Sequence, residues 1–327
     1  MLHRFVVAIG AGCASALLFV VSAQSNVLAM ALAYLAPLPI MIATLGFGLD
    51  AGAIAGAISV AALVVLAEPL SALLFAASVA APAWALAAFS ITPTAKYFGA
   101  QKPDAPVYPS VGAIVTLAAL FGMIGAAAVL TTVIIIYGGY SEGARHVASS
   151  VAALAADAFD GAAPGELTAR EFADALVRFG PPAIAASTLM MLGVNLYAAA
   201  RSTQLSHNLR RPWPDLPASL ALPWPLGVAF VACLAAFYAL PSPAAQYFSI
   251  GAGGLGAALA LQGLAVAHAL SRGLKMRPLM LVALYACCVL RAKYTLPVLA
   301  ALGLIDAFLR LRARAALIPA PTPTGHK

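Results

Sequence analysis

Residues 5–49 read FVVAIGAGCASALLFVVSAQSNVLAMALAYLAPLPIMIATLGFGL, and none of them is Asp, Glu, Lys or Arg. Further charge-free stretches follow at 51–67, 69–95, 105–141, 179–200 and 216–271. A soluble domain needs charged residues on its outer faces, whereas a helix of about 20 apolar residues crosses the hydrocarbon core of a bilayer. The pattern therefore predicts an all-α fold, a polytopic bundle of transmembrane helices in contact with the lipid bilayer.

Composition excludes several classes of function. Of the 327 residues, 63% are hydrophobic and 9% are charged, which leaves no room for a soluble catalytic domain. The net charge of +7 comes from short clusters beside apolar segments, not from a basic stripe with interleaved aromatics, so no nucleic-acid partner is predicted. The four cysteines form no CxxC or Cys/His spacing, and no nucleotide-binding, zinc-protease or serine-hydrolase motif occurs. We expect no enzyme activity, cofactor or metal.

Proline, glycine and charged residues divide the apolar sequence into candidate spans. There are ten of them, at 5–23, 27–48, 51–67, 69–92, 110–138, 180–200, 222–240, 245–271, 278–291 and 294–309. The last two are short and flank Arg291 and Lys293, so an eight-span arrangement with re-entrant pieces is the alternative. The first segment also resembles a signal peptide, but apolar sequence resumes at Val27, which favours a retained span.

The distribution of Lys and Arg predicts the orientation. The large basic clusters all fall on the same side of the spans: Arg4 before the first, Lys96 and Lys102 after four, Arg201, Arg210 and Arg211 after six, Arg272, Lys275 and Arg277 after eight, and Arg310, Arg312 and Arg314 after ten. The positive-inside rule puts these loops in the cytoplasm, with both termini inside and the chain in the inner membrane of a bacterial cell. Residues 1–314 then form one membrane domain, and 315–327 a cytoplasmic Pro-rich tail.

The segment 139–179 is predicted to lie outside the cytoplasm as two amphipathic helices. Val147 and Val151 start an apolar face, which Leu154 and Ala158 continue. Thr168 and Glu171 match a capping box that opens a second, short helix, in which Asp174 and Arg178 are spaced for an ion pair. Pro181 and Pro182 are predicted to start the sixth span. The segment could cover a binding pocket or serve only as a spacer.

Polar side chains inside the apolar segments are the candidate ligand contacts, because each is costly in lipid unless it has a partner. Asn195 lies in the sixth segment and Gln262 in the eighth. The alternative for both is a hydrogen bond between helices. Asp306 stands four residues before Arg310, a spacing that predicts a local ion pair. His268 is expected at the membrane interface.

Small residues recur at intervals of four in two segments. Ala8, Gly12 and Ala16 do so in the first, and Gly52 and Gly56 in the third. This spacing places small residues on one helix face and lets two helix backbones approach closely in lipid. The two stripes could pack inside the bundle or dock a partner helix, and the sequence leaves both possibilities open.

Three blocks of sequence carry a family resemblance. They are 36–40 with 45–49 (APLPI and LGFGL), 195–197 continuing to 211–217 (NLY and RPWPDLP), and 302–306 with 310–312 (LGLID and RLR). The chain resembles the YybS-like family of bacterial multi-pass membrane proteins. That family is similar, more distantly, to the substrate-binding (S) components of energy-coupling-factor transporters, which capture a micronutrient and act with a transmembrane coupling protein and ATPases.

The resemblance implies a transport-related function. The protein would bind a small solute in a pocket open to the outside beneath the 142–178 helices, and the Ala8, Gly12 and Ala16 stripe matches the small-residue face that S components use for coupling. The chain departs from that pattern, since S components typically have six spans. The alternative is a structural or assembly partner of another membrane complex.

Overall fold

The computed structural model describes residues 2–21, 27–93, 107–156, 168–209 and 211–316. Throughout these ranges the regular structure is helical. Eight helices are long and apolar enough to cross a membrane, and two further apolar helices, Trp224–Ala239 and Arg277–Leu290, are shorter. The predicted all-α polytopic bundle is confirmed, and each of the ten candidate segments coincides with helix. The Pro-rich tail lies outside the described residues except for its first two positions.

The helices are numbered in chain order. The first group contains α1 (Leu2–Val20), α2 (Val27–Tyr34), α3 (Pro37–Phe47), α4 (Leu49–Leu66), α5 (Pro69–Phe75), a π-helical turn (Ala76–Ala80) and α6 (Ala81–Ile91). The second contains α7 (Val111–Ile136), α8 (Tyr140–Ala155), α9 (Ala169–Leu205), α10 (Leu216–Ser219), α11 (Trp224–Ala239), α12 (Ala244–Leu270), α13 (Arg277–Leu290), α14 (Ala292–Leu309) and α15 (Leu311–Ala316). Helix α9 joins the two groups, because it packs on α3 and α6 as well as on α7 and α12.

Prolines account for two irregularities in the spans. Pro37 and Pro39 cannot donate backbone hydrogen bonds, and the chain turns between α2 and α3 at residues 35–36. In the fourth span the π-helical turn directly precedes Ala81 and Pro82. A wider turn keeps the proline ring away from the carbonyl four residues earlier.

One prediction about the 139–179 segment is wrong. The capping box at Thr168 and Glu171 is present, but the helix that it opens does not end before Pro181 and Pro182. Helix α9 continues through both prolines, and its 37 residues make it about 55 Å long. Pro182 packs closely against Gly253 of α12, and such neighbours allow prolines inside membrane helices. In addition, Asp174 pairs with Arg170 (3.5 Å), whereas Arg178 lies over the ring of Phe179.

The small-residue stripes lie inside the bundle. The stripe of α1, Ala8, Gly12 and Ala16, is buried where α1 packs on α4, and a methyl group on Gly12 would overlap the carbonyl oxygen of Ala55. Gly52 and Gly56 are also buried, and Gly52 packs against Thr44 of α3. In this chain both stripes serve helix packing, and neither presents an open face to a partner.

Contacts place the described members of the basic clusters at one end of the bundle, and Lys96, Lys102 and Arg210 lie outside the described residues. These contacts are His3 with Phe47 (ring centroids 5.7 Å apart), Arg211 with the Ser90 carbonyl (2.6 Å), Arg272 with Asp215 (2.7 Å) and Arg312 with the Pro217 carbonyl (2.8 Å). We call this the basic end. Helix α8 lies at the opposite end, because it follows the far terminus of α7. The N-in, C-in orientation stays a prediction.

Candidate functional site

A cavity of about 680 Å³ lies between α7, α9 and α12 near the basic end. Its walls are largely apolar, and they include Ile114, Val115, Leu189, Val194, Leu261 and Leu264. The segment that follows α9, residues 211–220, contributes the remaining side together with Tyr285 of α13. Its size and its mixture of apolar walls with a few polar groups are typical of a small-molecule site.

The polar side chains of the cavity lie toward the basic end, and most of them are paired. Arg201 donates to Gln204 (2.8 Å), Asp215 accepts from Arg272 (2.7 Å), and His268 hydrogen-bonds to Tyr285 (2.8 Å). The described residues contain no group of three His, Cys, Asp or Glu that could hold a metal ion. The cavity therefore offers cationic and neutral hydrogen-bonding groups to a ligand.

Arg211 and Trp213 are the exception to this pairing. The Arg211 side chain is 7% exposed, donates through Nη1 to the Ser90 carbonyl (2.6 Å), and lies over the rings of Tyr108 and Trp213. Within the described part of the chain, its Nε and the Trp213 Nε1 are buried and have no hydrogen-bond partner. Burial lowers the pKa of Arg211 from its ordinary value, but a guanidinium stays protonated in proteins.

Asn195 lies beside the cavity but faces the other way. Residues 193, 194, 196 and 197 line the cavity, whereas the Asn195 Nδ2 donates to the carbonyls of Tyr34 and Met191, both at 2.7 Å. The turn before Pro37 leaves the Tyr34 carbonyl without its usual helical donor. Ser15 donates to the Ala36 carbonyl of the same turn (2.6 Å). Asn195 therefore stabilises a proline-induced helix break.

Replacing Asn195 with leucine is expected to destabilise the protein by about 1–3 kcal/mol, because the partly buried Tyr34 carbonyl loses its side-chain donor. The measurement is thermal unfolding in a mild detergent. Leu196→Ala in the same helix would be a poor control, since it also creates a cavity. Ser187→Ala is suitable, because Ser187 is exposed and bonds only within its own helix. Equal melting temperatures for Asn195→Leu and wild type would contradict this role.

Gln262 belongs to a buried polar network behind the cavity. Its side chain is 1% exposed, its Oε1 accepts from the Leu222 N–H (2.8 Å), and its Nε2 donates to Asp306 (2.7 Å). Asp306 in turn binds Arg312 (2.7 Å), which also donates to the carbonyls of Pro217 and Leu220. Pro217 and Leu220 line the cavity, so the network holds one of its walls in place.

The predicted ion pair of Asp306 with Arg310 is wrong. Arg310 ends α14 in the left-handed conformation (φ 50°), and the chain reverses into α15. This turn brings Arg312, not Arg310, onto the carboxylate. The helical spacing of four used in the prediction does not apply beyond the end of the helix.

The chain matches the family described as "Predicted membrane protein (DUF2232)" over residues 13–307. It belongs to this family. Comparison with curated proteins found no match, and comparison with solved structures found none either. Membership confirms an integral membrane protein with many apolar helices across most of the chain, and it agrees with the charge-free stretches and candidate spans described above.

A second cavity, of about 450 Å³, lies at the end of the bundle opposite the basic end. The sequence predicted a pocket there, beneath the 142–178 helices. Tyr140 of α8, Asp174 and Arg178 of α9, and Gln246 of α12 are among its lining residues. It is smaller, and apolar surface makes up less of its lining than in the cavity at the basic end. The larger cavity is therefore the stronger candidate site, and neither Asn195 nor Gln262 lines it.

Sequence reasoning did not single out Arg211 or Trp213 as site residues. Both lie in the RPWPDLP block, which was used only as a family signature. A signal was present, because an Arg followed by a Trp between two prolines, just beyond the end of a span, is typical of an interfacial segment. The hydrogen bond from Arg211 to the Ser90 carbonyl, 121 positions earlier in the chain, depends on the tertiary fold.

Proposed function

We propose that this protein is a transport-related membrane protein that binds a small solute in the cavity between α7, α9 and α12. The observation that carries the proposal is the cavity itself, which lies beside a tightly packed bundle. Glycine contacts with backbone join α12 to α14 and α7 to α9, whereas Gly193 of α9 faces open space in the cavity wall. Helices that approach each other at these glycine contacts and still leave about 680 Å³ open at this point are typical of a protein with a small-molecule site.

The resemblance to S components motivates this class of function, whereas the small-residue face that they use for coupling is covered in this chain. The Ala8, Gly12 and Ala16 stripe is covered by α4, so a coupling protein would have to bind elsewhere on the bundle. Affinity purification in a mild detergent tests whether the protein acts together with a coupling protein and ATPases. Recovery of a transmembrane coupling protein with an ATPase pair supports it, and their consistent absence contradicts it without affecting the solute site.

Filling the cavity is expected to abolish solute binding while the fold is retained. Gly193 lines the cavity, and a side chain at this position would meet no atom within 4 Å of its Cβ. We expect Gly193→Phe to melt close to the wild-type temperature, because glycine is unfavourable in helices and no neighbour has to move. The measurement is native mass spectrometry of protein purified from its own membranes, which detects small molecules retained by the wild type and lost by the variant.

The matched control is Gly125→Phe. Gly125 lies in α7, also has open space around its Cβ, and does not line the cavity. We expect this variant to retain the same small molecules as the wild type. If Gly193→Phe also retains them, the cavity is not the binding site. If the wild type retains no small molecule and no added solute raises its melting temperature, the alternative function is favoured, a structural or assembly partner of another membrane complex.

A further inference from the structure

The cavity between α7, α9 and α12 is open along one side. Three of its lining residues on α9, Met190, Val194 and Tyr197, are between 42% and 55% exposed, and Tyr285 of α13 is exposed to a similar degree. On the α7 wall, by contrast, the lining residue Ile114 is buried. The exposed apolar lining thus lies on α9 and α13, and the opening lies between these two helices.

Helix α13 leaves this side of the cavity open. It packs on α14, its neighbour in the chain, and none of its residues is buried. Among the described helices, close packing joins α9 to α7 and α12 but not to α13. Tyr285 links α13 to His268 of α12 by a hydrogen bond (2.8 Å), beside the opening rather than across it to α9. A gap therefore remains between α9 and α13.

The depth of the opening decides which medium it faces. A cation on a membrane helix extends to the interface, so Arg201 near the end of α9 marks the edge of the hydrocarbon core. Met190 and Val194 precede Arg201 by 11 and 7 residues, which is about 16 and 10 Å along a helix, and no charged residue intervenes. The hydrocarbon core is about 30 Å thick. The opening therefore runs from one interface to about the bilayer centre and faces lipid chains.

Polar and apolar groups are separated along the opening. Arg201, Gln204 and Asp215 line the cavity and are exposed at the interfacial end, whereas the part between Met190 and Tyr197 is apolar. Resting on the proposed function, we infer that the cavity is entered sideways from the bilayer, between α9 and α13, and that its ligand is an amphiphile dissolved in the membrane. Its polar group lies at the interfacial end and its hydrocarbon chain between α7, α9 and α12. A bilayer phospholipid and a single-chain amphiphile share this chemistry.

Photolabelling of the full-length protein in phosphatidylcholine nanodiscs tests this inference. Three probes carry a diazirine: a phosphatidylcholine with the diazirine in the middle of one acyl chain, hexadecanol with it in mid-chain, and a short sulfonate that stays in water. Peptide mass spectrometry reads the labels on two half-buried cavity residues of α12, Leu261 and Leu264, and on Val282 of α13, which is exposed outside the cavity.

We expect at least one of the two chain probes to label Leu261 and Leu264, saturating at one probe per protein, while the sulfonate labels neither. The probe that labels them identifies the source, a bilayer lipid or a single-chain amphiphile. Both chain probes should label Val282 without saturation, because this residue faces bulk lipid. In Gly193→Phe the labels at Leu261 and Leu264 should be lost and the label at Val282 retained, since only the cavity is filled.

Val194→Trp tests the route of entry. Val194 is exposed at the edge of the opening, so a larger side chain extends across the opening without displacing buried atoms, and the melting temperature should change little. We expect this variant to lose most of the labelling at Leu261 and Leu264. The matched control is Val129→Trp, because Val129 of α7 is comparably exposed and does not line the cavity. Labelling of Val194→Trp at the wild-type level would exclude the opening between α9 and α13 as the route.

The remaining failures are distinguishable from failure of the proposed function. If the sulfonate labels Leu261 and Leu264 as strongly as the chain probes, the cavity is entered from water, and the inferred route is wrong while the solute site stands. If no probe labels these residues but Gly193→Phe still loses a native small molecule, the inferred ligand class is wrong and the proposed function stands. If Gly193→Phe loses no native molecule and no chain-probe label, both are wrong.

Discussion

Gly263→Val is expected to lower the free energy of unfolding by about 3 kcal/mol or more, the upper part of the range for overpacking. Gly263 of α12 faces the carbonyl oxygen of Leu299 in α14, and Gly303 of α14 faces that of Leu259 in α12. A side chain at either position would overlap backbone, which cannot rotate away. The two helices would have to separate, although their crossing is the closest type of packing available in lipid.

Thermal unfolding in detergent, followed by size-exclusion chromatography of the soluble fraction, measures this effect. Gly125→Val is the matched control, because a Cβ at Gly125 meets nothing within 4 Å. We expect the control to melt near the wild-type temperature and Gly263→Val to aggregate or melt far below it. A Gly263→Val protein as stable as the control would show that α12 and α14 are not in such close contact.

Asp306→Leu is the second substitution with a large expected effect, about 3–5 kcal/mol, because it removes one partner of a buried ion pair. The Asp306 side chain is 2% exposed and that of Arg312 is 12% exposed. Without the carboxylate, Arg312 keeps only carbonyl partners and the Gln262 Nε2 loses its acceptor. Since this network supports Pro217 and Leu220, solute binding should weaken as well.

The control is Asp174→Leu, which removes an exposed ion pair with Arg170 and should cost at most about 1 kcal/mol. The double variant Asp306→Leu with Arg312→Met should recover part of the lost stability, because an apolar pair no longer leaves a charge unpaired. A double variant less stable than Asp306→Leu alone would contradict the ion pair as the source of the effect. Melting temperature and chemical denaturation in detergent measure all three.

Much of the fold followed from local properties of the sequence. Each predicted span has helix at its centre, because length and lack of charge decide membrane insertion independently of neighbours. The break at Arg291 is also local, since a cation avoids the bilayer centre, whereas the turn before Pro37 interrupts a span predicted as continuous over 27–48. By contrast, Pro181 and Pro182 lie inside α9, and the packing of Pro182 on Gly253 of α12 could not be foreseen from spacing.

The site could be predicted only in part, because its contacts also depend on how distant segments of the chain pack together. Asn195 and Gln262 were recognised as unusual polar residues, but which groups they face depends on the placement of α2, α14 and the loop at Leu222. A buried amide side chain can form the same hydrogen bonds with a ligand or with a neighbouring backbone. Arg211 and Trp213 lie in an interfacial loop, where charged and aromatic residues are common. Their type and position therefore did not predict that each would have a buried N–H group without a partner.

We propose that the cavity between α7, α9 and α12 holds the ligand of this protein. The most direct test is a single-particle density map of the protein as purified from its membranes, with a bound antibody fragment to aid alignment. We expect density for a non-protein molecule in the cavity, between Leu189 and Leu261. Closure of α7 and α12 onto α9, or ligand density only beneath α8, would contradict it.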